Sequence, residues 1–215
     1  MWMEKKIWNR GKAHLAQTCP TLAQLIEQYE GEALARREDG FYTLVRAIVG
    51  QQISVKAADA IWVRLIKKIQ PLTPSKIART RLSTLRALGL SEQKAQYMKN
   101  IAVFWLAQGI KEEIQAGGGN LYWQSLSDDE VIDQLTTIKG IGRWTAEMFL
   151  IFHLSRPDVL PLQDLGLLKA IDLHYPSKKP RKKSDYLALA EDWRPYRSIA
   201  TWYLWRALDP VPVAY

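Results

Sequence analysis

The sequence predicts an all-α fold, and three observations carry that expectation. No segment shows the sustained period-two alternation of a half-buried strand. Apolar residues recur instead at helical spacing, most clearly at Phe41, Leu44, Val45, Ile48 and Val49 and at Ala58, Ile61, Trp62, Leu65, Ile66 and Ile69. Capping residues stand just ahead of such runs: Ser54, Ser91 and Ser127, the last followed by Glu130 in the spacing of a capping box.

In chain order, the first forty residues read as a loosely patterned arm followed by a helix over Thr21–Glu30. The stripe from Phe41 ends at Gly50-Gln51-Gln52, and Ser54 opens the next helix, whose apolar face is core. Pro71 and Pro74 punctuate a turn, and Leu82–Leu88 is a short helix stopped by Gly89. Ser91 caps a helix that turns Ala95, Met98, Ile101, Ala102 and Trp105 inward. Gly117-Gly118-Gly119-Asn120 reads as a flexible link and a lobe boundary. The helix from Ser127 leads to a tight turn, Lys139-Gly140-Ile141-Gly142, and a second helix opens at Arg143. After Asp164 follow a short helix over Leu165–Asp172, a basic loop over Ser177–Lys183 and a helix over Asp185–Asp192. A last helix, with Pro195 in its first turn, runs to about Leu208.

Composition narrows the function class. The 215 residues suffice for one compact unit or two packed lobes. The longest apolar stretch, Met148 to Leu154, is too short to span a bilayer, and the basic start lacks the apolar core of a signal peptide. The expected location is the cytoplasm, or the nucleus in a eukaryote. A single cysteine, Cys19, excludes internal disulfides and reads as a small core residue. His14, His153 and His174 are scattered, so no side-chain metal site is expected. Thirty Lys and Arg against 22 Asp and Glu give a net charge of +8, which favours polyanionic partners.

The turn at Lys139–Gly142 carries the chemistry of anion binding. Its glycines supply open backbone or positive φ, and bare N–H groups at the start of the second helix attract a phosphate. Thr145 offers a hydroxyl there, and Lys139 and Arg143 a positive field. The turn, the long apolar helix after it, the loop Arg156–Pro161 and Asp164, 22 positions beyond Gly142, resemble the helix–hairpin–helix DNA glycosylase superfamily. Three more blocks extend the resemblance: AIVGQQISVKAA (Ala47–Ala58), LGLSEQKAQYMKNIA (Leu88–Ala102) and EDWRPYRSIATWYLWR (Glu191–Arg206). Together they are similar to the 3-methyladenine DNA glycosylase II type of alkylation repair, in a compact form.

That resemblance implies two helical lobes, about 41–139 and 1–40 with 140–215, with a lesion pocket between them. It implies a DNA glycosylase that removes alkylated purines from damaged double-stranded DNA as a monomer, without a membrane partner. Asp164 matches the catalytic aspartate; as the residue before Leu165 it is also placed as an N-cap. Gln163 stands where relatives often carry a further acid. Asp158 is read as a residue that holds its loop by side-chain-to-backbone hydrogen bonds, the catalytic acid being the alternative. Trp144, Trp205 and Met148 match the base pocket, core packing being the alternative for both tryptophans. Leu90 or Ser91 is the wedge that fills the stack, Ser91 being equally placed as a cap. Gln52 approaches the minor groove, and Gln51 satisfies buried backbone. The carbonyls of Thr136, Ile138 and Gly140 are the expected ligands of a monovalent cation, with no other cofactor required. The four cysteines of an iron–sulfur cluster are missing, and Trp144 replaces the lysine of bifunctional lyases. Lys178–Lys183 reads as a solvated basic loop, a phosphate-binding patch being the alternative. The rival readings are the same fold acting on a deaminated or oxidised base, and a hairpin DNA-binding protein without catalysis.

Overall fold

Helices form where the sequence supplies a cap and an apolar stripe, and the computed structural model describes them over residues 3–35, 39–109 and 121–208. The glycine-rich link at Gly117–Asn120 lies outside the described residues. Thirteen α-helices and one 3-10 turn form among the described residues, with no strand. The chain divides into two compact units, Met1–Arg36 with Leu150–Ala214 and Arg37–Phe149. The second boundary follows Phe149, inside a helix, where the sequence placed it after Lys139.

The first unit begins with helix α1, Lys5–Thr18, in place of the expected loose arm. Its buried residues are Trp8, Gly11 and Leu15. One of these three is a glycine, which an apolar-spacing count passes over. A Cβ on Gly11 would lie 2.3 Å from Ile199 Cδ1 and 3.0 Å from the Tyr196 ring, so its missing side chain lets the backbone approach closely. Helix α2, Pro20–Gln28, starts with proline in its first turn and buries Leu22 and Leu25.

In the second unit, α3 (Gly40–Gly50) is capped by Asp39, which accepts from Tyr42 N–H at 2.9 Å. Helix α4 (Val55–Lys68) is capped by Ser54 as expected, and buries Ala58, Trp62 and Leu65. Where a turn was expected, Thr73 caps a six-residue helix α5, Pro74–Arg79. Helix α6 (Leu82–Ala87) is followed by Gly89 at φ +101°. Helix α7 (Glu92–Ala107), capped by Ser91, packs against α3, α5 and α6. The short α8 (Leu121–Gln124) precedes α9 (Asp128–Thr136), whose capping box at Ser127 and Glu130 is formed. Helix α10 spans Arg143–Phe152. The core here is a run of rings: Phe41–Trp105 at 6.0 Å, Trp105–Trp123 at 5.8 Å and Trp123–Phe149 at 5.3 Å between centroids.

The turn between α9 and α10 is seated on α7. Gly140 has φ +110°, and a Cβ there would lie 2.2 Å from Tyr97 Cγ. Asn100 Nδ2 donates to Lys139 O at 3.0 Å. From the end of α3, Gln51 Nε2 donates to Gly140 O at 3.3 Å. Lys94 Nζ donates to Val49 O at 2.9 Å, and burial holds its ammonium below the usual lysine range. The N-terminal half of α7 therefore gathers three segments: its own lead-in Gly89–Ser91, the turn after α3, and the hairpin.

The rest of the first unit comprises α11 (Leu165–His174), α12 (Lys183–Leu189), a 3-10 turn (Ala190–Trp193) and α13 (Arg197–Leu208). The last helix starts two residues after Pro195, not with it. Asp158 Oδ1 accepts from Arg197 N–H at 3.3 Å and so caps the helix at that residue. Residues Ser198 through Trp205 of α13 are all buried, because α13 packs against α1, α2 and α11. Trp8 meets Trp202 edge-on at 5.3 Å and stacks on Tyr203 at 5.7 Å.

The two hairpin glycines differ in what they demand. Nothing lies within 4 Å of a Cβ placed on Gly142. Gly140→Ala is expected to cost about 2–5 kcal/mol, the sum of an unfavourable left-handed backbone and overpacking against Tyr97. Gly142→Ala is expected to stay within about 1 kcal/mol of wild type. Urea unfolding of both variants checks this; equal costs would mean that Tyr97 does not seat the hairpin.

Candidate active site

The site is built around Asp164. As N-cap of α11 it accepts from Leu167 N–H at 2.7 Å, and Trp205 Nε1–H donates to the same oxygen, Oδ1, at 2.9 Å. Asp164 is 5% exposed and Trp205 2%. Two donors on one oxygen fix the orientation of the carboxylate. The indole is itself clamped, stacked parallel on Phe152 with centroids 6.0 Å apart. The sequence brought Asp164 and Trp205 forward separately; the first unit brings them together.

Gly166 is part of this arrangement and was not foreseen. A Cβ there would lie 3.0 Å from Asp164 Oδ1 and 3.7 Å from Trp205 Cδ1. Its signal in the sequence is a poor helix former in the first turn of a helix, two residues after the acid.

Asp158 has a different setting. Arg197 Nε donates to Oδ1 at 2.7 Å and Arg197 Nη2 to Oδ2 at 2.9 Å, a bidentate pair, and Arg194 Nη1 adds a bond at 2.8 Å. Ser198 fastens the same loop: its Oγ donates to Arg156 O at 2.7 Å and accepts from Val159 N–H at 2.9 Å. The loop-holding reading of Asp158 therefore rests on ion pairs with arginines as well as on backbone contacts.

Trp144 and Met148, one turn apart on α10, lie in the second unit; Trp144 is half-buried and Met148 buried. In the hairpin, Lys139, Gly142 and Arg143 are exposed. Two expectations change. Thr145, expected to turn its hydroxyl outward, is 2% exposed, and its Oγ1 lies 3.4 Å from Gln51 Nε2. The hydroxyl faces inward because Gln51 bridges it to the Gly140 carbonyl. Arg143 does not carry an uncompensated charge: its Nε donates to Glu147 Oε1 at 3.0 Å. Of the three carbonyls expected at a cation, that of Ile138 accepts from Ile141 N–H at 2.9 Å and that of Gly140 from Gln51. Among the described residues no group of three His, Cys, Asp or Glu is placed to hold a metal ion.

Leu90 is 4% exposed, whereas Ser91 is exposed and caps α7 by accepting from Lys94 N–H at 3.2 Å. Gln52 is exposed with φ +57°, a left-handed backbone that costs a non-glycine residue about 1–2 kcal/mol. It is held between the Gln51 hydrogen bonds and the Ser54 cap.

These features define a helix–hairpin–helix protein with a buried, twice-donated carboxylate at the start of a helix. The chain belongs to the HhH-GPD superfamily of base excision DNA repair proteins, whose family model matches residues 45–195. It is 35% identical to DNA-3-methyladenine glycosylase 1 of Schizosaccharomyces pombe over 86% of this chain and 79% of that one. A structure of a 3-methyladenine DNA glycosylase of the same yeast in complex with abasic DNA has a TM-score of 0.78 at 32% identity, covering 92% of this chain and 95% of the other. The DNA-3-methyladenine glycosidase of Bacillus halodurans has a TM-score of 0.73 at 33% identity, covering 91% and 87%.

The setting of Asp158 yields a stability test. Asp158→Ala leaves the Arg197 guanidinium without its bidentate partner and is expected to lower the unfolding free energy by about 2–3 kcal/mol. An unchanged urea midpoint would mean that the arginine pairs do not hold the loop.

Proposed function

We propose that this protein is a DNA glycosylase of base excision repair that hydrolyses the N-glycosidic bond of alkylated purines, of 3-methyladenine and 7-methylguanine type, in duplex DNA. The observation that carries this reading is the Asp164 carboxylate, buried and held by the Trp205 indole and the Leu167 amide. Breaking the bond makes the sugar cation-like, and a fixed carboxylate stabilises that charge where it develops. The electrons of the C1′–N bond leave with the base. A methylated purine is already cationic and departs neutral, so no general acid is needed. Water then adds to C1′ and loses its proton, with Asp164 as the acceptor.

The base is extruded from the duplex to react. Trp144, half-buried, is assigned to it by stacking and cation–π attraction; Trp205 and Met148 are buried, and Trp205 serves the site by holding Asp164. Ser91 is the better wedge, because Leu90 would have to leave the core. Gln52 is assigned to the minor-groove side, and its left-handed backbone supports a positional role. The N–H groups around Gly140 and Gly142, with Lys139, take a DNA phosphate. A monovalent cation on the carbonyls of Thr136, Ile138 and Gly140 would add positive charge there. With Trp144 where a lyase lysine would stand, the enzyme is monofunctional and leaves an intact abasic strand.

Asparagine at position 164 can still accept from Leu167 and Trp205, so Asp164→Asn removes the charge and keeps the cap. Base release from methylated duplex is expected to fall by at least about 100-fold, with duplex affinity retained. Strand breaks are expected only after hot alkali and only with wild type. Normal turnover in the variant would sink the mechanism, and breaks without alkali would reveal a lyase.

Gly166→Ala is expected to displace the carboxylate by a few tenths of an ångström. It should lower single-turnover base release by roughly 10-fold or more with little change in KM. A loss confined to KM would place Gly166 in binding instead.

A further inference from the structure

The charge of this chain is not spread evenly. Between Lys56 and Arg86 stand eight Lys and Arg and one acid, Asp59; the rest of the chain holds 22 basic and 21 acidic residues. Nearly all of the net +8 therefore sits in α4, α5 and α6. Four of the eight lie on α4 (Lys56, Arg64, Lys67, Lys68), and all eight side chains are exposed. The single acid is already matched, because Asp59 pairs with Arg46, outside the segment.

Helix stability does not account for this. Lys67 and Lys68 in the last turn of α4 suit the helix dipole, but Lys56, in its first turn, opposes it. Lys56, Ala60, Val63 and Lys67 fall at i, i+4, i+7 and i+11, one stripe along the helix, flanked by Arg64 and Lys68. Eleven residues of rise span about 16 Å. That length corresponds to roughly five nucleotides of one strand along a duplex axis.

Helix α4 is tied to the elements assigned to DNA at two points. Helix α4 begins just after Gln51, which bonds the hairpin carbonyl of Gly140, and Arg64 Nε donates to Leu88 O at 2.8 Å, bracing the lead-in to Ser91. We infer that α4 and the turn between α5 and α6 form a second, sequence-independent phosphate-binding surface that holds duplex DNA flanking the lesion. This rests on the reading of duplex DNA as substrate. The surface raises affinity and residence on the duplex, and the chemistry at Asp164 does not depend on it.

The test is the salt dependence of binding to a long duplex bearing a stable abasic analogue, for wild type and for the double variant Lys67→Gln, Lys68→Gln. Lys178→Gln with Lys179→Gln serves as a charge-matched control. The slope of log K against log salt is expected to fall by about 2 for the α4 variant, at about 0.9 for each phosphate no longer neutralised. A shortened duplex that ends near the lesion should erase the difference, and base release at saturating DNA should be unchanged. A slope equal to that of wild type or of the control overturns the proposal, as does a weakening confined to anionic vesicles or heparin. If wild type releases no methylated purine yet the slope falls, the glycosylase reading fails and this surface stands. If release proceeds and the slope does not move, the surface fails and the glycosylase reading stands.

Discussion

The close approach of Gly140 to the Tyr97 ring is the contact on which the hairpin between α9 and α10 depends. A glycine with positive φ lets the backbone lie against an aromatic ring where any side chain would collide. That contact sets how α9 hands over to α10. Asn100 and Gln51 then tie the neighbouring carbonyls, so the turn is held from α7 and from the end of α3. A phosphate site built from backbone amides needs this kind of support, because amides have no rotamers with which to correct a misplaced chain.

Two acids stand six residues apart, and their surroundings separate their roles. Asp158 faces two arginines, so its charge serves to hold the loop to the start of α13. Asp164 receives an amide N–H and an indole N–H on one oxygen, and the two donors orient the carboxylate. Such a group remains able to stabilise a cation that forms next to it. The N-cap bond of Asp164 and the catalytic role proposed for it are compatible, because the cap fixes the oxygen without consuming it. Gly166 belongs to the same arrangement: it gives up helix propensity to leave room for the Asp164–Trp205 bond.

The distribution of charge gives the basic composition a location. A net +8 taken over the whole chain says only that polyanions are favoured. Its concentration in α4–α6, in the unit that carries the hairpin and braced to the Gly89–Ser91 lead-in through Arg64, gives it a place in the fold.

What the sequence determined by itself was local. Ser54, Ser91 and the Ser127–Glu130 box announced their helices, because a cap bonds to amides within three residues. The α7 stripe of Ala95, Met98, Ile101, Ala102 and Trp105 is buried throughout, because periodicity reports one helix face. The hairpin turn was legible from its glycines, and Asp164 was singled out by the family resemblance that the combined blocks carry. Helix α1 was not, since one of its buried residues is a glycine, and α5 hid behind two prolines. The inward turn of Thr145 toward Gln51 and the Trp205–Asp164 bond, whose partners are 94 and 41 residues apart, were decided by tertiary structure alone. Capping and periodicity act within a few residues, whereas the partner of a buried polar group is whichever distant side chain packing brings beside it.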